Sequence, residues 1–400
     1  MTTGKQRLLI LGARPLQLPA YTAAHELGVD VIAIDPDPAA PGRALASVFA
    51  AHDLADVAAC LAVARQERVN GVLTLGAEYP IPLAARLAAE LDLPGLDPSR
   101  VGGVTDKLTM HDVLASAGVA VPETSCVSSL SDARQAVAAI DGPTIVKPAD
   151  SSGGRGVTAL AQGADTGSID TAYALAQPLS RTGRVLVSAY VDGPEFSVEA
   201  MTYAGSTTVV ATTDKVTSGR PHHVEVGHSQ PSSRAGASAV AALAVEAITA
   251  LGIESGPSHT EIRLDGDRPV VIEVGARLGG GYITSHLVPL STGVDLTRAT
   301  VQVALGRTPD LSPSSVVHGG AAVRFFTPPV GTLAAVRGAD EAATMPGVEV
   351  MQLDAEPGDV INPLRDARDR IGHVIASGID PEAARARAAA AVERVEFEIA

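Results

Sequence analysis

Two glutamates, a lysine followed by a glycine-rich run, and an arginine are the residues whose types and spacing point to chemistry. Glu261 and Glu273 lie in Thr260-Glu261-Ile262-Arg263-Leu264 and Val270-Val271-Ile272-Glu273-Val274, on either side of Asp265-Gly266-Asp267-Arg268-Pro269. The apolar flanks read as the two strands of a hairpin. Pairing symmetric about residue 267 sets Leu264 opposite Val270 and Glu261 opposite Glu273. Directly opposed carboxylates repel, so a half-buried pair needs a shared proton or a cation between its members. The alternative is two solvent-facing carboxylates on a sheet surface. Mg2+ takes hard oxygen ligands, and carboxylates beside nucleotide phosphates are its usual surroundings. Arg277, shortly beyond Glu273, places a planar charge beside the same point. Lys147 ends the strand-like Thr144-Ile145-Val146-Lys147-Pro148, and Ser151-Ser152-Gly153-Gly154-Arg155-Gly156-Val157 follows. Glycines at 153, 154 and 156 let backbone N–H groups turn toward an anion without obstruction by a Cβ. Strand character resumes at Val157, so this is not a P-loop opening a helix. It reads as a flap over phosphates or as a hairpin with a glycine-rich tip.

These residues need elements to hold them. Over the first hundred residues, apolar runs at 8–11, 31–34 and 71–75 alternate with helical patterns ending at Leu27 and at Leu91, which predicts a parallel sheet covered by helices. Gly12-Ala13-Arg14-Pro15-Leu16-Gln17 has one glycine where a dinucleotide fingerprint needs three, so this turn is a strand-to-helix corner rather than a nicotinamide site. A helix at 106–117 leads to a second region with helices at 131–140 and 169–179 and strands at 144–147, 157–160 and 184–188. Strands at 196–216 are followed by a polar segment, 217–236, that reads as a loop, and then by a helix at 237–251. Residues 311–315 read as a linker into a last region with a helix at 381–394.

Composition narrows the classes. Of 400 residues, 46% are hydrophobic and 19% charged, which excludes a disordered chain and suggests two to four lobes. A net charge of −15 repels nucleic acid and anionic lipid, yet a local basic pocket can still take a small anion. Cys60 and Cys126 stand far apart, so neither a disulfide framework nor a zinc site is indicated. The first apolar run is too short for a signal peptide, and no stretch approaches the ~20 apolar residues of a membrane span. The expectation is a soluble, cytoplasmic protein with neither nucleic acid nor membrane as partner.

On these motifs, in this order, the chain resembles the ATP-grasp superfamily from about residue 7 to 310, and within it the L-amino acid ligase-like branch. The resemblance implies an α/β ATP-grasp fold with an N-terminal Rossmann-like domain (1–104), a small lobe with the glycine-rich flap (105–192), a large lobe with the metal site (193–310) and a C-terminal α+β extension (311–400). It implies that Lys107, Lys147, Ser152, Gly153, Gly154 and Gly156 hold the nucleotide phosphates. Ser188, Tyr190 and Val191 would form the adenine hinge, with Glu195 on the ribose. Glu261 and Glu273 would hold Mg2+, two ions with Mn2+ as a substitute, and Arg277 would lie near the transferred phosphoryl group. Ser188 stands where a glutamate is common, and Gly275 where many members have an asparagine metal ligand, which leaves Glu273 to bridge the ions.

The implied reaction is ATP-dependent joining of a small carboxylate to an amine through an acyl phosphate, with ADP and phosphate released and an amino acid as one substrate. Positioning and charge stabilisation suffice for such a transfer. Biotin carboxylase or carbamoyl-phosphate-type bicarbonate activation is the alternative within enzymes, and a non-catalytic nucleotide-binding protein the alternative outside them. Glu78 would hold a substrate ammonium or serve as an N-terminal helix acid. His259 would touch substrate or be a buried structural histidine. The segment from Asp214 to Ser232 would close as a lid, with Gly219 and Gly227 as hinges, Lys215 reaching the γ-phosphate, and His222, His223 and Glu225 selecting the amino acid; a merely solvated loop is the alternative. A homodimer is a further expectation.

Overall fold

The computed structural model describes residues 5–313 and 317–400. Part of the expected 311–315 linker lies outside the described residues. Strands Arg7–Leu11, Asp30–Ile34, Val48–Ala50 and Gly71–Leu73 form the parallel N-terminal sheet. Leu8 to Leu11 are all buried because helices cover both faces, which is why the run is apolar rather than alternating. Asp35 accepts from the Ala13 N–H at 2.8 Å and so pins the strand-to-helix corner.

A second, antiparallel sheet of Thr124–Val127, Val185–Ala189, Thr144–Pro148 and Thr158–Leu160 carries helices Leu130–Ala139 and Thr166–Ala176. The third sheet is antiparallel throughout and eight-stranded, in the order Arg268–Gly275, Gly256–Asp265, Glu195–Tyr203, Ser206–Thr217, Glu225–Gln230, Gly320–Phe325, Gly372–Gly378, Val348–Leu353. It runs on past residue 310, so the large lobe and the C-terminal region share one sheet. Helix Lys107–Ser116 sends Met110 and Leu114 into the core beneath this sheet, together with Val198, Val274 and the helix Ala237–Ala250. Among the described residues, no helix is long and apolar enough to cross a membrane.

Two sequence expectations are corrected. The polar segment 217–236 is not one loop: Glu225–Gln230 is a strand paired on both edges, to Ser206–Thr217 and to Gly320–Phe325. Its polar residues face a polar interior rather than water, and composition alone cannot tell these apart. Gly227 is therefore no hinge; a Cβ there would lie 2.1 Å from Arg324 Nη1. The loop proper is 218–224. In the glutamate hairpin, Leu264 pairs with Pro269, not Val270, because the turn is Gly266-Asp267. A bulge at Ile272 then restores Glu261 opposite Glu273. Its carbonyl accepts from His111 Nε2 at 3.3 Å, which occupies the group the bulge takes out of the ladder.

Gly193, where the chain passes from the second sheet to the third, shows how tightly the lobes are joined. A Cβ at this position would stand 1.8 Å from the carbonyl oxygen of Leu264. We expect Gly193→Ala to cost about 1–3 kcal/mol, as overpacking against backbone does. Denaturant melts should show a lower midpoint, and an unchanged midpoint would mean that the crossing is loose.

Candidate active site

A cavity of about 690 Å³ lies where the three sheets meet. Eight lysines and arginines line it against six aspartates and glutamates, an inversion of the chain's overall acidity that suits an anionic ligand. The floor comes from the eight-stranded sheet. Alternate residues of neighbouring strands share a face, so Glu261, Glu273, His259, Glu199, Glu195 and Lys215 are brought together by register alone.

Lys215 is buried, and its Nζ stands 2.7 Å from Glu195 Oε1, 2.9 Å from Glu225 Oε1 and 2.8 Å from Glu261 Oε1. Burial opposes the charge, but the three carboxylates outweigh it and hold the ammonium well above its ordinary pKa. Glu225 and Glu261 are in turn held well below the usual carboxylate range: burial raises them, and Lys215 more than reverses it. On the other side, Lys107 Nζ pairs with Glu273 Oε1 at 3.1 Å and donates to the Ser151 carbonyl at 2.7 Å. The two opposed carboxylates thus each hold a cation, and neither needs to share a proton.

Behind Glu261, His259 bridges two acids. Its Nδ1 makes a short contact to Glu199, and its Nε2 is 3.4 Å from Glu261 Oε1. Burial works against the imidazolium, yet Glu199 and Glu261 lift its pKa to about 9. The Glu199 carboxylate also accepts from Gly279 N–H at 3.1 Å, and a Cβ on Gly279 would be 2.5 Å from that carboxylate. His259 nonetheless lines the cavity.

The flap follows the expected loop. Ser152, Gly153 and Gly154 line the cavity, while Gly156 turns away, packed against Leu175 and Ala176. Lys147 faces the cavity from below the flap, and burial, with the Lys107 ammonium beside it, pushes its pKa down to about 8. At the hinge, Ser188 is buried and accepts from Thr124 Oγ1 at 2.9 Å. Tyr190 lies under the Arg263 and Arg220 guanidiniums, 5.0 and 4.6 Å from its ring centre, and stacks with His223. Arg263 donates to the Val191 carbonyl at 2.8 Å and to Glu195 at 3.0 Å. His222 Nδ1 lies 3.2 Å from the Val157 carbonyl, and Ala159 N–H donates to Pro221 O at 2.7 Å, so loop 218–224 is fastened to the flap. Glu78 spends its carboxylate on Arg277, which donates to it at 2.8 and 3.2 Å.

Sequence reasoning missed Glu199, Arg263 and Arg370. An acid in the middle of the strand Glu195–Tyr203 was a readable signal for Glu199, since a buried carboxylate must be paired. For Arg370, 145 residues from its partner Glu225, there was none.

Comparison with known proteins identifies the family. The ATP-grasp domain family matches residues 140–286, and the L-amino acid ligase C-terminal domain 2 matches residues 324–400. An uncharacterized protein, y4rH, of Sinorhizobium fredii is 30% identical over 82% of this chain and 68% of its own. The chain belongs to the ATP-grasp ligases. Its C-terminal match places it on the L-amino acid ligase-like branch. The formate-dependent phosphoribosylglycinamide formyltransferase of Rhodococcus jostii is 27% identical over 99% of this chain and 96% of its own. Among solved structures, the L-amino acid ligase from Bacillus licheniformis superposes with a TM-score of 0.82 at 24% identity, covering 100% of both chains. Phosphoribosylglycinamide synthetase from Anaerococcus prevotii gives 0.73 at 21% identity, over 99% of this chain and 100% of that one.

ATP-grasp enzymes use ATP with Mg2+. Glu261 and Glu273 fit such an ion: both are hard oxygen donors, they face each other across one ladder, and both line the cavity. With nucleotide phosphates on Lys147, its lowered pKa would make their binding pH-dependent. Phosphates need the ammonium form, which is full well below about 8, half present there and lost above it. We expect ATP affinity, by calorimetry, to fall by up to about tenfold per pH unit above that point. Lys147→Arg stays charged and should flatten the profile; a flat wild-type profile would place the nucleotide away from Lys147.

Proposed function

We propose that this ligase activates a small carboxylate with ATP as an acyl phosphate and transfers the acyl group to an amine, with an amino acid as one substrate. The reading is carried by one observation: two cross-strand carboxylates, each holding a cation, share a cavity with a glycine-rich flap, two lysines and Arg277. Lys107, Lys147 and the flap would hold the triphosphate, and the Tyr190-Val191 hinge the adenine, with Glu195 by the ribose. Glu261 and Glu273 would hold Mg2+, two ions for which Mn2+ substitutes, and the metal supplies charge neutralisation and polarisation at the γ-phosphoryl group. The substrate carboxylate oxygen attacks the γ-phosphorus and the bond to ADP breaks. The amine then attacks the acyl carbon, phosphate leaves with its oxygen, and one amine proton goes to solvent. Arg277, beside Glu78, would stabilise the charge that develops on the acyl oxygen. Lys215, a strand residue whose three donors are filled by Glu195, Glu225 and Glu261, would act by holding Glu261 rather than by reaching the γ-phosphate.

A screen of amino acids for phosphate release, with and without bicarbonate, separates this reading from bicarbonate activation. Turnover should yield ADP and phosphate with bicarbonate unnecessary; AMP and pyrophosphate would refute the acyl phosphate. Glu273→Gln should lower kcat at least ~100-fold, a loss of ~2.7 kcal/mol. Near-normal turnover at saturating Mg2+ would remove Glu273 from the centre.

A further inference from the structure

One end of the cavity is furnished by a residue that the reaction just described does not use. Arg370 comes from the C-terminal region, directly after the turn Ala367–Asp369 and before the strand Gly372–Gly378. The turn is stiff: Asp366 accepts from Arg368 N–H at 2.9 Å, and Asp369 accepts from the N–H groups of Arg365 and Asp366 at 2.8 and 3.0 Å. The same turn reaches the flap, where Ala367 N–H donates to Gly153 O at 3.4 Å. The Arg370 side chain is 13% exposed and lies over the Phe325 ring, 4.0 Å from its centre. Nη2 donates to Glu225 Oε2 at 3.0 Å. Its Nε is buried without a partner, and a guanidinium has five N–H donors to fill.

The other buried guanidiniums of the cavity wall are better satisfied. Arg277 has Glu78 twice and the Leu278 carbonyl, and Arg263 has Glu195, the Val191 carbonyl and the Tyr190 ring. Arg370 lines the cavity with donor capacity unfilled, since Nε has no partner. Close to it, His228 is fully buried with neither ring nitrogen hydrogen-bonded, its Nε2 3.6 Å from Glu225 Oε2. A Cβ on Gly281 would come within 2.7 Å of that nitrogen and 3.5 Å of Glu225 Oε2, so glycine there keeps the space open.

We propose that Arg370 is a specificity residue that holds a substrate carboxylate other than the one phosphorylated. A planar monoanion matches the guanidinium edge in a bidentate pair. A phosphate dianion does not suit this end, because Glu225 lies against the same guanidinium and would repel it. The carboxylate comes either from the α-carboxyl group of the amine substrate or from a second carboxyl group of the activated one. The inference rests on the ligase reading above and deepens it.

The test compares acids with their amides in the full chain. An L-amino acid α-carboxamide keeps its amine and still reacts as acceptor, so it isolates the first source. Aspartate and glutamate against asparagine and glutamine isolate the second. In the wild type, one of these pairs should show about 100-fold preference for the acid in kcat/KM, as expected when a buried charge partner is lost. Arg370→Gln should erase that preference by raising KM for the acid alone, and Arg370→Lys should keep part of it. An equal loss for acid and amide would make Arg370 structural and overturn the proposal, as would a wild type indifferent to both pairs. ATP affinity and melting midpoint of each variant report folding; if Arg370→Gln fails to fold, the wild-type comparison and Arg370→Lys still decide. Calorimetric binding of the same pairs with a non-hydrolysable ATP analogue needs no turnover. Acid-selective binding without product formation would count against the ligase reading and not against Arg370.

Discussion

A lysine ammonium deep in the protein, with carboxylates from three different strands around it, is the constraint that organises the site. A buried charge is tolerable only when it is paired and its hydrogen-bonding capacity filled. Lys215 has three N–H donors and meets Glu195, Glu225 and Glu261, so it is fully satisfied. Those same acids are satisfied only because it is there. Each then has a second partner: Arg263 for Glu195, Arg370 for Glu225, His259 for Glu261. The cluster therefore ties Glu195 beside the lobe crossing, Glu261 of the hairpin and the C-terminal region into one electrostatic unit. Any member that moves costs a neighbour one of its partners, and this holds the polar floor in place.

The cover is different in kind. Flap, loop 218–224 and the turn at 366–369 touch through single backbone or side-chain hydrogen bonds. Such contacts are worth about a kilocalorie each and can be exchanged for water. A rigid charged floor beneath a lightly fastened roof is what a phosphoryl-transfer site requires, since the floor must be preorganised and the roof must open for exchange of nucleotide. The glycines at 153 and 154, both at φ +71 with nothing within 4 Å of a built Cβ, leave the roof free of side-chain anchors.

Most of the secondary structure was readable because its signals are local. The flap, the hairpin and the helices at 107–116 and 237–250 follow from glycine placement and apolar periodicity. Glu261 facing Glu273 was readable, but for a reason that was half wrong: the turn is centred half a residue earlier than symmetry suggested, and the bulge at Ile272 compensates. The strand Glu225–Gln230 was read as loop because its side chains are polar. In a sheet whose inner face is a charged cavity, the usual inward-apolar rule is reversed, so hydropathy misleads at the site itself.

What the sequence determined alone was the inventory and its order: which carboxylates, lysines and glycines exist, and which local element each rides on. Propensity, turn chemistry and periodicity act over a few residues, so they can be read along the chain. Only the tertiary structure decided who meets whom. Lys215 pairing with acids on three strands and Arg370 entering the cavity from 145 residues beyond Glu225 follow from strand order in one continuous sheet, and Glu78 meeting Arg277 across 199 residues follows from the N-terminal domain packing against that sheet. Strand order is set by burial of the whole apolar surface at once, and no local window contains that sum.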